Sequence, residues 1–217
     1  MKHIFLRSFY ALLVRPWLKY IIGVNFQNRE IFNDLDQYII VANHNSHFDT
    51  VSIMAALPGK KIKSTSAVAA ADYFGKTSLA SRATNFFFNA ILIHRKNNEG
   101  GPSTLDILDE QLKKGQSLVL FPEGSRGKPG VIKDFKTGIA VLLKQNPTIP
   151  FVPVYLDGFG RVLPKDNKLI IPLVCKVRLG SPIYPKNEDI DAILDEVKKA
   201  VLELKNNDER DRNQFEY

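Results

Sequence analysis

Short apolar runs rich in β-branched residues recur along this chain, and each gives way to a polar turn and then to a stretch with helical spacing. Tyr38-Ile-Ile-Val-Ala42 is such a run. It is closed by the polar segment Asn43 to Asp49 and followed by the apolar pattern Val51 to Leu57, which Pro58-Gly59 stops. A second strand is expected around Thr65 to Ala70; Thr77 to Leu92 is rich in Phe and Ala, and Gly100-Gly101-Pro102 marks a loop. Ser103 opens a helix to about Lys114, with Leu105, Leu108 and Leu112 at helical spacing and Gly115 past its end. Ser117 to Phe121 reads as another buried strand, Ile139 to Lys144 as a helix, and Ile149 to Leu156 and Leu173 to Leu179 as strands. Glu188 to Lys205 is amphipathic, with Ile190, Ile193, Leu194, Val197, Val201 and Leu204 on one stripe, and the charged tail Asn206 to Tyr217 is expected to fray. Continuously apolar strands alternating with helices predict an α/β fold, a mainly parallel sheet flanked by helices. With 217 residues and no internal repeat, linker or low-complexity tract, the chain reads as one α/β domain, residues 25–217, behind a helix over residues 1–24.

That first segment carries Lys2, Arg7, Arg15 and Lys19, and no acid precedes Glu30. Large apolar residues, among them Phe5, Phe9, Leu12, Leu13, Trp17 and Ile21, fill most of the rest. Arg7, Arg15 and Lys19 interrupt any uncharged stretch of the roughly 18 residues a spanning helix needs. No small-residue cleavage site follows Arg15-Pro16, which argues against a signal peptide, and Pro16 is expected to kink or divide the segment. A basic helix with Trp and Phe on one side suits the plane of a bilayer headgroup region. A first helix packed on the core with snorkelling cations has the same composition. Thirty Lys+Arg against twenty-three Asp+Glu give a formal net charge of +7, which favours an anionic partner: nucleic acid, a phosphorylated metabolite or an acidic membrane surface. One cysteine, Cys175, excludes an intrachain disulfide and a cysteine-based zinc site.

In open α/β sheets ligands collect beyond the carboxyl ends of strands, and two such ends carry dense polar clusters. At the first, His44 and Asp49 would lie about 140° apart on a continuous helix and could not share a face. They can meet if His44 lies in the turn leaving the strand and Asp49 in the first turn of the next helix, with Asn45 or Ser46 as its N-cap. The carboxylate then accepts a hydrogen bond from one imidazole nitrogen, fixes the tautomer and makes the other nitrogen a better base. Such a couple without a nucleophile suits removal of a proton from a bound alcohol; a histidine that only caps or packs would look the same. His44, His47 and Asp49 also read as His-x-x-His-x-Asp, and with His94 they leave a hydrolytic metal centre open, although two histidines four apart around a glutamate are absent.

The second end, Phe121-Pro122-Glu123-Gly124-Ser125-Arg126-Gly127, is no nucleophile elbow, because Glu123 stands where Gly-x-Ser-x-Gly needs glycine. Gly75-Lys76-Thr77 is no phosphate loop, because Ala70 sits where that motif needs glycine. What remains is a turn with backbone amides and Arg126, suited to a cluster of anionic oxygens or simply to solvent. Arg95, Lys96, Lys133, Lys136 and Arg161 follow apolar runs or glycine turns and together read as a rim of cations over one pocket, suited to phosphate.

Asn43-His44-Asn45-Ser46-His47-Phe48-Asp49 and Phe121-Pro122-Glu123-Gly124-Ser125-Arg126 together resemble the paired signature of the glycerolipid acyltransferases, the lysophosphatidic acid and glycerol-3-phosphate acyltransferase family. The match is to His-x4-Asp first and Phe-Pro-Glu-Gly-Ser/Thr-Arg second, in that order and with suitable spacing. Ala90-Ile-Leu-Ile-His-Arg95, Ile149-Pro150-Phe151-Val152-Pro153-Val154 and the pair Lys136, Gly138 agree with weaker blocks of that family, so the resemblance runs from Tyr38 to Gly160. It implies a PlsC-like fold and an O-acyltransferase of phospholipid biosynthesis. The enzyme would move a fatty acyl group from acyl-CoA or acyl-ACP to the free hydroxyl of a lysophospholipid, foremost 1-acylglycerol-3-phosphate. His44 would be the general base and Asp49 its orienter. Arg95, Glu123, Arg126 and Lys136 would shape the acceptor-phosphate site, with Gly124 and Ser125 in the same turn. No resident cofactor or metal is implied, since the acyl carrier is a co-substrate. The implied partners are a membrane lipid acceptor, acyl-CoA or acyl carrier protein, and an anionic membrane surface, with no nucleic acid. Residues 1–24 then become a membrane-associated helix, and the enzyme a peripheral or monotopic protein of the cytoplasmic face.

A thioester is already activated, so deprotonating the alcohol as it adds suffices and no covalent enzyme intermediate is required. Ser125 and Cys175 then have no nucleophilic part, and backbone amides near Gly124 are the candidates for the oxyanion contacts. The sequence departs from the family twice. Ala70 stands where many relatives carry a phosphate-binding lysine in a Val-Ala-Lys block, and His94 where aspartate or asparagine usually precedes the arginine. Both leave room for a different lysolipid or another lipid-linked alcohol. The competing readings are a metal-dependent hydrolase using His44, His47, Asp49 and His94, and a basic nucleic-acid-binding module, for which no aromatic-basic recognition motif is visible.

Overall fold

The β-branched runs become strands in the computed structural model, which describes residues 2–46, 48–70, 87–93, 102–162, 174–186 and 188–213. In chain order the strands are β1 (Val24–Gln27), β2 (Ile39–Ala42), β3 (Thr65–Ala70), β4 (Ile91–Ile93), β5 (Ser117–Leu120), β6 (Phe151–Asp157) and β7 (Cys175–Leu179). They form one sheet in the order β1-β7-β6-β2-β5-β3-β4. Its pairings are parallel except that of β6 with β7, so the sheet is mainly parallel, as the alternation predicts. Helices among the described residues are α1 (Lys2–Phe9), α2 (Arg15–Trp17), α3 (Phe48–Ala56), α4 (Thr104–Lys113), α5 (Gly138–Gln145), α6 (Phe159–Val162) and α7 (Ile190–Asn213).

Central strand β2 lies between β5 and β6, with Ile39 level with Leu118 on one side and Phe151 on the other. Ile40 and Ala42 face one apolar core, shared with α3 and the N-terminal helices; Ile39 and Val41 face a second, built from α4, α5 and α7. Burial on both faces is why this strand reads as an unbroken apolar run rather than an alternating one. Helix α4 opens on a capping box in which Ser103 and Asp106 exchange side-chain and backbone hydrogen bonds, and Gly115 turns the chain away with φ +78°. Helix α7 buries Ile193, Val197 and Val201. It then continues through Asn213, so the part of the tail up to that residue is helical and not frayed. Lys, Glu and Arg are good helix formers and need no core contact to extend an established helix. Strand β1 has no counterpart in the sequence reading. It is a four-residue edge strand in which only Val24 is fully buried, and Asn25 and Gln27 hide it among polar residues.

Pro16 does not divide the N-terminal segment. Residues 2–22 stay helical, with π turns at Tyr10–Val14 and Leu18–Ile22 on either side of α2. Proline has no N–H for the carbonyl one turn back, and a local shift to i→i+5 bonding accommodates the loss. The widened turns also serve packing. Leu6, Tyr10, Leu18 and Ile22 are all buried, and they fall at multiples of four residues. On an ideal α-helix a four-residue step rotates about 40°, so the stripe would swing away from the domain; underwinding holds it in place. Gly23, at φ +84°, ends the run and delivers the chain to β1. Arg15 fixes the segment further by donating to the Ala55 and Leu57 carbonyls at the end of α3, and Arg29 does the same to Ala56. The opposite stripe, Phe5, Leu12, Leu13, Tyr20 and Ile21, faces solvent, each more than half exposed. The core-packing reading thus holds for one face of this helix, and the other face is exposed. No described helix is long and apolar enough to cross a membrane.

Candidate active site

The exit from β2 is held rigidly. The side-chain amide of Asn43 donates to the Leu156 carbonyl (3.0 Å) and its oxygen accepts the Leu156 N–H (2.7 Å). The next residue, His44, lies in the turn, and Asp49 in the first turn of α3. Their side chains meet, with Nδ1 2.8 Å from Asp49 Oδ2. The same oxygen accepts the Asn45 and Ser46 N–H groups at 2.6 and 2.8 Å. Asp49 is fully buried, while the His44 side chain keeps 21% exposure. An ionised carboxylate can only accept, so the neutral imidazole that pairs with it carries its proton on Nδ1 and presents a lone pair on Nε2. Ser46, one of the two expected N-caps, accepts the Phe48 N–H through Oγ (3.3 Å), the bond an N-cap makes, while Asp49 reaches back to the turn.

Because β5 neighbours β2, the second cluster arrives beside the first although it lies 79 residues further along the chain. The Phe121 ring stacks on the His44 imidazole, centroids 4.2 Å apart and planes 24° from parallel. Glu123 is 4% exposed. Its Oε1 accepts the His44 N–H (2.8 Å) and its Oε2 the Lys133 N–H (3.1 Å). Burial raises its pKa, opposed by those two hydrogen bonds. Glu123, expected to shape the acceptor-phosphate site, gives both oxygens to backbone amides. The Gly124 N–H donates to the Phe121 carbonyl (3.0 Å) and closes the turn. Gly124 itself is required at φ +69°, and a Cβ there would fall 2.7 Å from Lys136 Cε and Nζ, which lie across the turn.

Ser125 and Lys136 are exposed and Arg126 half-buried. Lys133 Nζ donates to Ser125 Oγ (3.2 Å) and to the Arg126 carbonyl (2.9 Å), so a lysine that the sequence offers only as one member of a cationic rim straps the motif turn. Arg161 lines a cleft of about 270 Å³ at the carboxyl end of β6, with Asn45, Asp157 and Lys205. Arg95, His47, His94 and Gly75-Lys76-Thr77 lie outside the described residues, and Ala70 ends β3 opposite Ile93. Among the described residues no three His, Cys, Asp or Glu side chains converge as a metal site. Cys175 is buried in β7, and burial together with Asp157 pushes its thiol up to about 12, which disfavours a thiolate nucleophile. The arrangement as a whole offers an oriented, partly accessible base beside a turn that carries cations, the requirements for deprotonating an alcohol borne on an anionic molecule.

Residues 23–157 match the family model described as Acyltransferase. The 1-acyl-sn-glycerol-3-phosphate acyltransferase alpha of Bos taurus is 26% identical over 193 residues, 85% of this chain and 64% of that protein. The Homo sapiens protein of the same name is 25% identical, covering 85% of this chain and 65% of its own length. The chain therefore spans just under two thirds of these relatives. Among solved structures, the 1-acyl-sn-glycerophosphate (LPA) acyltransferase PlsC from Thermotoga maritima superposes with a TM-score of 0.70 at 21% identity, covering 94% of this chain and 79% of that one. This is a likeness of fold.

Proposed function

The chain belongs to the Acyltransferase family, whose model takes in more than half of its length, and from that premise we propose that it transfers a fatty acyl group to the free hydroxyl of a lysophospholipid, foremost 1-acylglycerol-3-phosphate. The donor is an acyl thioester, acyl-CoA or acyl-ACP, and the setting is phospholipid biosynthesis. The observation that carries this reading is the His44–Asp49 pair, 2.8 Å apart, beside the turn that holds Arg126, Lys133 and Lys136. The names of the relatives support the choice of acceptor. The acceptor phosphate meets Arg126, Lys133 and Lys136, with Gly124 and Ser125 shaping the turn and Arg95 joining on motif grounds. His44 Nε2 takes the proton of the acceptor hydroxyl as that oxygen adds to the thioester carbonyl. The C–S bond then breaks, and the thiolate leaves with the proton returned from the imidazolium, giving an ester and a thiol. Asp49 holds the tautomer throughout and steadies the transient positive charge.

The exposed stripe Phe5, Leu12, Leu13, Tyr20 and Ile21, flanked by exposed Arg7 and Lys19, supports docking of the N-terminal helix in the plane of an anionic membrane. The attachment we propose is peripheral or monotopic, at the cytoplasmic face, and it brings the lipid acceptor to the site.

The test is incubation of the purified protein, in lipid vesicles, with radiolabelled acyl-CoA or acyl-ACP and a panel of lysolipids, with and without chelator. Label is expected in the diacyl product of 1-acylglycerol-3-phosphate, indifferent to chelator. Release of free fatty acid only, abolished by chelator, overturns the reading in favour of a metal-dependent hydrolase.

A further inference from the structure

We infer that Phe121 and Glu123 are positioning residues of His44, so that the second motif divides into a half that moulds the base and a half that meets the substrate. His44 sits in a turn with no strand or helix bonding of its own, yet both its backbone groups are satisfied from the second motif. Its N–H donates to Glu123 Oε1 at 2.8 Å, and its carbonyl accepts the Gly127 N–H at 2.8 Å. Without Glu123 a donor in this half-buried turn would lose its partner. The imidazole is held in two independent ways. The bond from Nδ1 to Asp49 sets the rotation of the ring, and the Phe121 face, 4.2 Å away and 24° from parallel, sets its plane. Together these leave Nε2 as the ring nitrogen that Asp49 does not engage.

Glu123 is poorly suited to the role expected of a motif carboxylate beside a phosphate. Turned outward it would repel the acceptor; here it is 4% exposed and both oxygens are on amides. Gly127 closes the mould, since a Cβ there would stand 3.2 Å from the Val131 carbonyl oxygen, 3.3 Å from Asn45 Oδ1 and 3.4 Å from Glu123 Oε2. Ser125, Arg126, Lys133 and Lys136 are left as the half that faces the acceptor. The Phe121 face also suits the imidazolium that forms as the proton arrives.

The kinetic arm of the test rests on the acyltransferase reading, and a spectroscopic arm does not. In Phe121→Leu and Glu123→Gln, kcat is expected to fall about 10- to 100-fold with the acceptor KM unchanged, the cost of a misplaced base. Phe121→Trp, which keeps an aromatic face, should retain most of the activity. Glutamine offers one acceptor oxygen to two N–H donors and cannot replace the carboxylate. By NMR of ring-labelled histidine, the wild-type His44 ring protons should be shifted upfield by the Phe121 ring current, with the proton on Nδ1. That shift should vanish in Phe121→Leu. A raised acceptor KM with kcat intact, or a wild-type spectrum without the upfield shift, overturns the assignment. If the wild type transfers no acyl group to any lysolipid, the functional reading fails while the spectra still decide the positioning.

Discussion

Two buried carboxylates flank His44, and they are loaded differently: Asp49 gathers three donors on one oxygen, whereas Glu123 divides two backbone amides between its oxygens. Burial raises the Glu123 pKa above its ordinary 4.5, so the folded chain holds that proton more tightly than the unfolded chain does. The stability this contributes is present below the unfolded value and is lost as pH rises through the raised folded value. Glu123→Gln does not titrate. Its stability deficit relative to wild type should therefore shrink as pH climbs from about 4.5 through that window, which denaturant unfolding at a series of pH values would reveal. A deficit that stays constant or widens contradicts the burial argument. At this scale the sequence was legible where spacing alone limits geometry. A five-residue separation between His44 and Asp49 cannot close on one helix face but can across a strand-turn-helix junction, and it does. Glu123 was not legible, because a residue type within a motif does not say whether its carboxylate faces inward or outward.

Among the elements, strands covered on both faces announced themselves, and β1, half-polar and at the sheet edge, did not. The π turns around Pro16 were equally invisible, since they answer to a missing N–H and to packing of Leu6, Tyr10, Leu18 and Ile22 together. What they produce is a helical run with one stripe on the core and another in solvent, joined to the end of α3 through Arg15. Leu12 and Leu13 stand on the outer stripe, 73% and 62% exposed. Burying a leucine contributes about 1.5–3 kcal/mol, and about 1.4 kcal/mol is a tenfold change. Leu12→Asp and Leu13→Asp should each weaken binding to anionic vesicles by about tenfold or more, with thermal unfolding little altered. Sedimentation with vesicles checks this, and undiminished binding would show that this stripe is not the membrane face. Added salt should weaken binding further by screening the basic flank.

At the scale of the whole molecule, the chemistry depends on the strand order. The ends of β2 and β5 are neighbours only because the parallel sheet is wound so that residues far apart in the chain become adjacent. The alternation of apolar runs predicts that kind of sheet but not which strands are neighbours, so the meeting of the two motifs was legible through resemblance rather than through pattern. Winding also sets His44 beside the turn that Lys133 straps, and the formal net charge of +7 is consistent with an anionic acceptor and an anionic surface. The measurement that bears most directly on the account is single-turnover acyl transfer to 1-acylglycerol-3-phosphate by wild type and His44→Ala, with folding of both followed by circular dichroism. A folded variant whose transfer rate falls by a factor on the order of 10²–10⁴ is the predicted result; a folded variant that transfers at the wild-type rate would contradict it.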